Sequence, residues 1–226
     1  MRVIITGATG MVGKGVLLEA LDAPEVAGVL AIVRSSTGIA HPKLAELQVK
    51  DFGELPSMKA KLAGYDACYH CMGVTSAGMS EPDYTRITYE HTLALAEAAL
   101  SANPGLVFTY VSGVGTDSTE KGRSMWARVK GRTENTLLEM PFRAAYMFRP
   151  GLIIPERGIV SRTGWYRAFY AVLTPFLGMM KRSESATTTT RIGHAMLEAA
   201  LATPEKRILE PQDINALAAS YLTRRS

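Results

Sequence analysis

The run Thr6-Gly7-Ala8-Thr9-Gly10-Met11-Val12-Gly13 constrains this chain more than any other stretch. It follows directly on an apolar, β-branched segment, Arg2 to Thr6, and opens another, Met11 to Leu21, that carries Val12, Val16, Leu17 and Ala20 at helical spacing. Strand, glycine turn and helix in that order bring unpaired backbone N–H groups and the positive end of the helix dipole to one point. A phosphate binds there if no side chain blocks its approach. Gly7 makes the sharp turn, Gly10 admits a pyrophosphate at close range, and Gly13 lets the helix pack on the sheet. Thr9, Met11 and Val12 complete the expected cradle of a dinucleotide cofactor.

The first half of the chain alternates β-branched runs with longer amphipathic ones, as a parallel sheet with covering helices requires. Strands are predicted at Arg2 to Thr6, Gly28 to Val33, Leu47 to Asp51, Ala67 to Met72, Leu106 to Ser112 and Ala144 to Phe148. Helices are predicted between them. One starts at Pro82, which suits a first helical position, and runs to Leu100; another spans Ser124 to Glu139. After Pro150 the pattern loosens, and Arg191 to Leu201 and Pro211 to Leu222 read as helices around a short strand, Arg207 to Leu209. A length of 226 residues, against about 150 per domain, favours one large domain. The expectation is a doubly wound α/β (Rossmann) domain over residues 1–226, with strand order 3-2-1-4-5-6 plus an extra strand. Residues 151–226 would form a small C-terminal helical lobe over the cleft.

With 47% hydrophobic and 20% charged residues and 20 glycines, the composition excludes disordered, collagenous and disulfide-scaffold classes. The net charge of +4 comes without interleaved basic and aromatic residues, which argues against nucleic acid as a partner. Cys68 and Cys71 lie in an apolar stretch whose alternation sends them to opposite faces of a strand, so one metal could not easily take both, and His70 shares that structural reading. No metal site is expected. The apolar run that begins the chain is too short for a signal peptide, which makes the cytoplasm the expected compartment. Trp165 to Met180 is rich in aromatics, but its uncharged part, Ala168 to Met180, contains Pro175 and falls short of the roughly 20 residues needed to span a bilayer. Three roles fit it: a helix that closes the cleft or packs on the core, a self-association surface making a homodimer, or an interfacial membrane contact.

Cofactor identity is written at the end of the second strand, where an acid would bond the ribose 2′-hydroxyl of NAD. Val29 to Val33 ends instead in Arg34, followed by Ser35 and Ser36. A guanidinium pairs with a 2′-phosphate in bidentate geometry and stacks on adenine, so NADP is favoured over NAD.

With these residues in place, the chain resembles the short-chain dehydrogenase/reductase superfamily, in its extended and atypical branch of NAD-dependent epimerase/dehydratase-like proteins. The resemblance covers about residues 1 to 155. It is carried by the glycine turn, Arg34, Lys50-Asp51-Phe52, Cys71-Met72-Gly73, Val111-Ser112, Lys130-Gly131 with Glu134, and Arg149-Pro150-Gly151. It implies that Asp51 and Phe52 flank the adenine, that Cys71, Met72 and Gly73 end the fourth strand with Gly73 along the ribose, and that Pro150 lines the nicotinamide. It also implies that Ser112 binds the substrate carbonyl and that Lys130 holds the ribose. The family's catalytic tyrosine falls four residues before the lysine, where this chain has Trp126. An indole does not titrate near neutral pH, and losing positioned proton transfer costs about 10²- to 10⁴-fold in rate. Tyr84, Tyr89 and His91 are the candidates to replace it. The expected function is an NADP-dependent oxidoreductase or isomerase acting on a small carbonyl or alcohol. The alternatives are a non-catalytic NADP-binding sensor or regulatory module, and a peripheral membrane or assembly protein using the Trp165 to Met180 stretch.

Overall fold

Val3, Ile4, Ile5 and Thr6 are all fully buried, which only a strand covered on both faces allows. This strand, β1 (Arg2–Thr6), is central in the computed structural model, which describes residues 1–159 and 185–225. After it come α1 (Met11–Asp22), β2 (Gly28–Val33), β3 (Leu44–Gln48), a 3-10 segment (Phe52–Leu62) and β4 (Ala67–His70). The chain continues through α2 (Glu81–Thr85), a π-helical turn (Arg86–Glu90), α3 (His91–Ala102), β5 (Val107–Val111), α4 (Met125–Glu139) and β6 (Ala144–Phe148). It ends with β7 (Leu152–Ile154), β8 (Ala186–Thr188), α5 (Thr189–Ala202), β9 (Ile208–Leu209) and α6 (Pro211–Arg225).

Seven parallel strands form one sheet in the order β3-β2-β1-β4-β5-β6-β9. This is the doubly wound order with an added edge strand, and the chain reverses direction across the sheet between β1 and β4. Alternation along each strand supplies two cores. Val3, Ile5, Val29, Ala31 and Tyr69 face α1, α5 and α6, while Ile4, Leu30, Ile32, Cys68 and Phe108 face the 3-10 segment and α3. Helices α1 and α5 touch through glycine. A Cβ on Gly15 would lie 2.6 Å from Thr189 Cβ, and one on Gly193 would lie 2.7 Å from Glu19 Cγ. The described C-terminal helices thus cover a sheet face beside α1, and the predicted Trp165 to Met180 stretch lies outside the described residues.

Differences from the sequence expectations are local. β3 begins three residues early, because parallel pairing with β2 sets Leu44 against Val29. Asp51 then leaves the sheet, its side chain accepting from Gly53 N at 2.9 Å. The expected single helix from Pro82 is three pieces: Ser80 caps α2, and the π-helical turn offsets α3 from it. β7 and β8 pair with each other in parallel and were not predicted. Among the described residues, no helix is long and apolar enough to cross a membrane.

Candidate functional site

At the carboxyl ends of β1, β4 and β5 the structure opens into a cavity of about 570 Å³. Its floor is the glycine turn. Gly7 adopts φ +71°, and a Cβ on it would sit 2.5 Å from the Cys71 carbonyl oxygen. Gly10 N donates to Gly7 O at 2.8 Å, and Gly10 is the N-cap of α1 with no side-chain cap. A Cβ on Gly13 would fall 2.2 Å from Gly7 O, so this glycine lies beneath the turn and outside the wall. Gly7, Thr9, Gly10, Met11 and Val12 line the cavity, and the uncapped N–H groups of α1 stand free for an anion.

The walls gather most of the remaining predicted residues. Arg34 stands exposed at the end of β2, and Cys71, Met72 and Gly73 follow β4. Ser112 follows β5, and α4 presents Trp126 and Lys130. Among the described residues, no carboxylate lines this cavity. The wall does not include Asp51, Phe52 or Pro150. Phe52 is buried with its ring stacked on His91 at 5.8 Å, Asp51 Oδ1 is 3.8 Å from His91 Nε2, and the Pro150 carbonyl accepts from Val114 N at 3.1 Å.

Of the residues weighed against Trp126, Tyr84 lines the cavity. Tyr89 instead lies under Arg132, whose guanidinium is 4.2 Å from its ring centre, and His91 packs on Phe52. Burial raises the Tyr84 phenol above its ordinary value, opposed by a hydrogen bond with Thr88. Cys68 and Cys71 do pack toward opposite cores, and burial pushes both thiols up. His70 bonds Thr6 Oγ1 at 2.7 Å and Thr92 Oγ1 at 3.0 Å, and burial depresses it to about 3.

Behind Ser112 lies a buried polar network that sequence reasoning missed as a unit. Ser112 Oγ donates to Glu134 Oε1 at 2.5 Å, and Glu134 is fully buried. Arg149 Nε reaches both carboxylate oxygens, at 3.1 and 3.2 Å, and its Nη2 donates to the same group. Lys130 Nζ donates to the Ser112 carbonyl oxygen. Burial brings the Lys130 ammonium down to about 8, partly countered by the Glu134 charge. The readable signal was the four-residue spacing of Lys130 and Glu134 on α4; nothing local in the sequence pairs Glu134 with a residue leaving β6.

A model of the NAD dependent epimerase/dehydratase family matches residues 3–125. Protein HTATIP2 of Rattus norvegicus is 27% identical over 157 residues, which are 69% of this chain and 64% of that protein, so the match spans less than two thirds of the relative. A short chain dehydrogenase from Burkholderia cenocepacia, solved with NADP, shares the fold at a TM-score of 0.66 and 14% identity, over 99% of this chain and 93% of that one. The Bordetella bronchiseptica enzyme WbmH, solved with NAD+, does so at 0.63 and 16%, over 88% and 71%.

Proposed function

This chain belongs to the NAD dependent epimerase/dehydratase family, and from that premise we propose that it is an NADP(H)-dependent oxidoreductase or isomerase acting on a small carbonyl or alcohol. The observation that supports this reading is the single cavity running from Arg34 and the glycine turn to Ser112 and Lys130. The glycine turn and the uncapped start of α1 fit a pyrophosphate, and a wall without carboxylates among the described residues suits a polyanion. Arg34 takes the 2′-phosphate, for which a guanidinium fork is the matching group. When bound, the dinucleotide supplies the hydride acceptor or donor. Lys130, anchored on the Ser112 carbonyl, presents its remaining N–H groups to ribose hydroxyls. Ser112 contacts the substrate oxygen. Tyr84, which lines the cavity, carries the proton role that Trp126 cannot, exchanging a proton with the substrate oxygen as hydride moves.

Calorimetric titration with NADPH and NADH, on the wild type and on Arg34→Ala, tests this. A charged hydrogen bond lost from the 2′-phosphate predicts NADPH binding weakened roughly ten- to hundredfold, with NADH unchanged. Binding of neither nucleotide, or equal weakening of both, refutes the assignment. A second reading, a non-catalytic NADP-binding sensor, is favoured by one observation: an indole at Trp126 occupies the wall four residues before Lys130. NADPH that binds tightly yet is oxidised by no member of a broad carbonyl panel would select it.

A further inference from the structure

Serine carries one hydroxyl proton and two lone pairs, so the direction of that proton fixes what it offers a ligand. In Ser112 the proton is already committed. Oγ stands 2.5 Å from Glu134 Oε1 and 3.1 Å from the Phe148 carbonyl oxygen. A carbonyl only accepts, and so does an ionised carboxylate. Glu134 is ion-paired with the Arg149 guanidinium, which donates to both of its oxygens. Arg149 is itself fixed from outside the pair, Nη2 to Ser118 Oγ at 2.6 Å and Nη1 to Glu210 Oε1 at 3.4 Å. Lys130 bonds the Ser112 main chain and leaves the hydroxyl alone. What Ser112 still has for the cavity is lone-pair density.

We propose that Glu134 is a positioning residue that makes Ser112 a hydrogen-bond acceptor in the cavity, so that the substrate oxygen received by Ser112 is a hydroxyl, the alcohol form of the substrate. A hydroxyl can donate to Ser112 Oγ. A carbonyl oxygen has no proton to give and meets Oγ lone pair against lone pair. The inference rests on the oxidoreductase reading of this cavity and narrows it. It also makes Glu134→Gln a directional change: Arg149 retains the amide oxygen, the amide N–H turns toward Ser112 Oγ and takes up lone-pair density there, and the hydroxyl proton is left to the Phe148 carbonyl or the cavity.

The test uses a shape-matched pair, cyclohexanol and cyclohexanone, each titrated by ligand-detected NMR against protein loaded with the cofactor form that cannot react with it: NADPH for the alcohol, NADP+ for the ketone. Ser112→Ala leaves the Glu134–Arg149 pair intact. It should weaken the alcohol roughly three- to tenfold, the value of one hydrogen bond, and leave the ketone within about twofold. Glu134→Gln should shift the alcohol-to-ketone ratio toward the ketone by a similar factor, a change that simple loss of packing would not make. Ketone binding weakened as much as alcohol binding in Ser112→Ala overturns the proposal, and so does failure of both probes to bind the wild type. NADPH binding, measured on the same samples, separates the two levels. If NADPH does not bind, the oxidoreductase reading falls; if it binds and the Ser112→Ala pattern is absent, only this inference falls.

Discussion

Lys130 gives the fold a measurable dependence on pH. Its ammonium lies in the cavity wall and burial brings it to about 8, against 10.5 for the free side chain. Between these values the unfolded chain binds a proton that the folded chain has released, so stability rises with pH across that window. At about 1.4 kcal/mol per unit, the shift corresponds to roughly 3 kcal/mol of destabilisation at pH 7, falling to about 1 kcal/mol at pH 10. These are ceilings, since the cavity side of Lys130 is open to water. Lys130→Met removes the charge and nearly keeps the stem, while losing the bond to the Ser112 carbonyl. That loss is nearly independent of pH, because a neutral amine donates as well. The diagnostic is therefore the slope of the difference: urea midpoints of Lys130→Met minus wild type should decline steadily from pH 7 to pH 10. Groups elsewhere cancel in the subtraction. A difference that stays flat over that range would show that Lys130 is hydrated as freely in the fold as out of it, and the account of the buried wall would be wrong.

His70 titrates with a slope of the same sign, on the acid side. Depressed to about 3 from 6.5, it refuses a proton that the unfolded chain accepts, so stability is full above pH 6.5 and lost as pH falls toward 3. Wild type should lose about 3 kcal/mol more than His70→Gln between pH 7 and pH 4, measured by denaturant unfolding. For the glycines, geometry predicts a contrast. Gly13→Ala sets a methyl 2.2 Å from the Gly7 oxygen and should cost about 1–3 kcal/mol together with nucleotide binding. Gly73→Ala meets no atom within 4 Å and should melt with the wild type. A Gly13→Ala protein that melts and binds normally would contradict the packed turn.

What was legible in the sequence is what short-range periodicity encodes. β6 is apolar throughout, β2 in all but its first residue and β1 in its three central ones, and their predicted and observed bounds coincide. β3 is edge-like and mixed, Leu-Ala-Glu-Leu-Gln, so its register is set by β2 and not by its own pattern. Strands β7 and β8 are three residues each, too short for a period, and Thr187 and Thr188 read as a polar tract although both are buried. The phosphate turn was readable because strand, glycines and helix are contiguous. Ser112, Glu134 and Arg149 are far apart in sequence and meet only because β5 and β6 are neighbours with α4 crossing beside them. Phe52 shows the converse: a family position suggested adenine, while tertiary packing placed its ring against His91.

The glycine contacts between α1 and α5 bear on how the chain is assembled during synthesis. The strand, turn and helix that start the fold emerge first, yet the apolar back of α1 waits for Ile192, Ala195 and Met196, made much later. Until then that surface is exposed, and contacts so distant in sequence form slowly. Within this fold the glycine turn is made long before the helix that braces it, which ties completion of the cradle's packing to completion of α5.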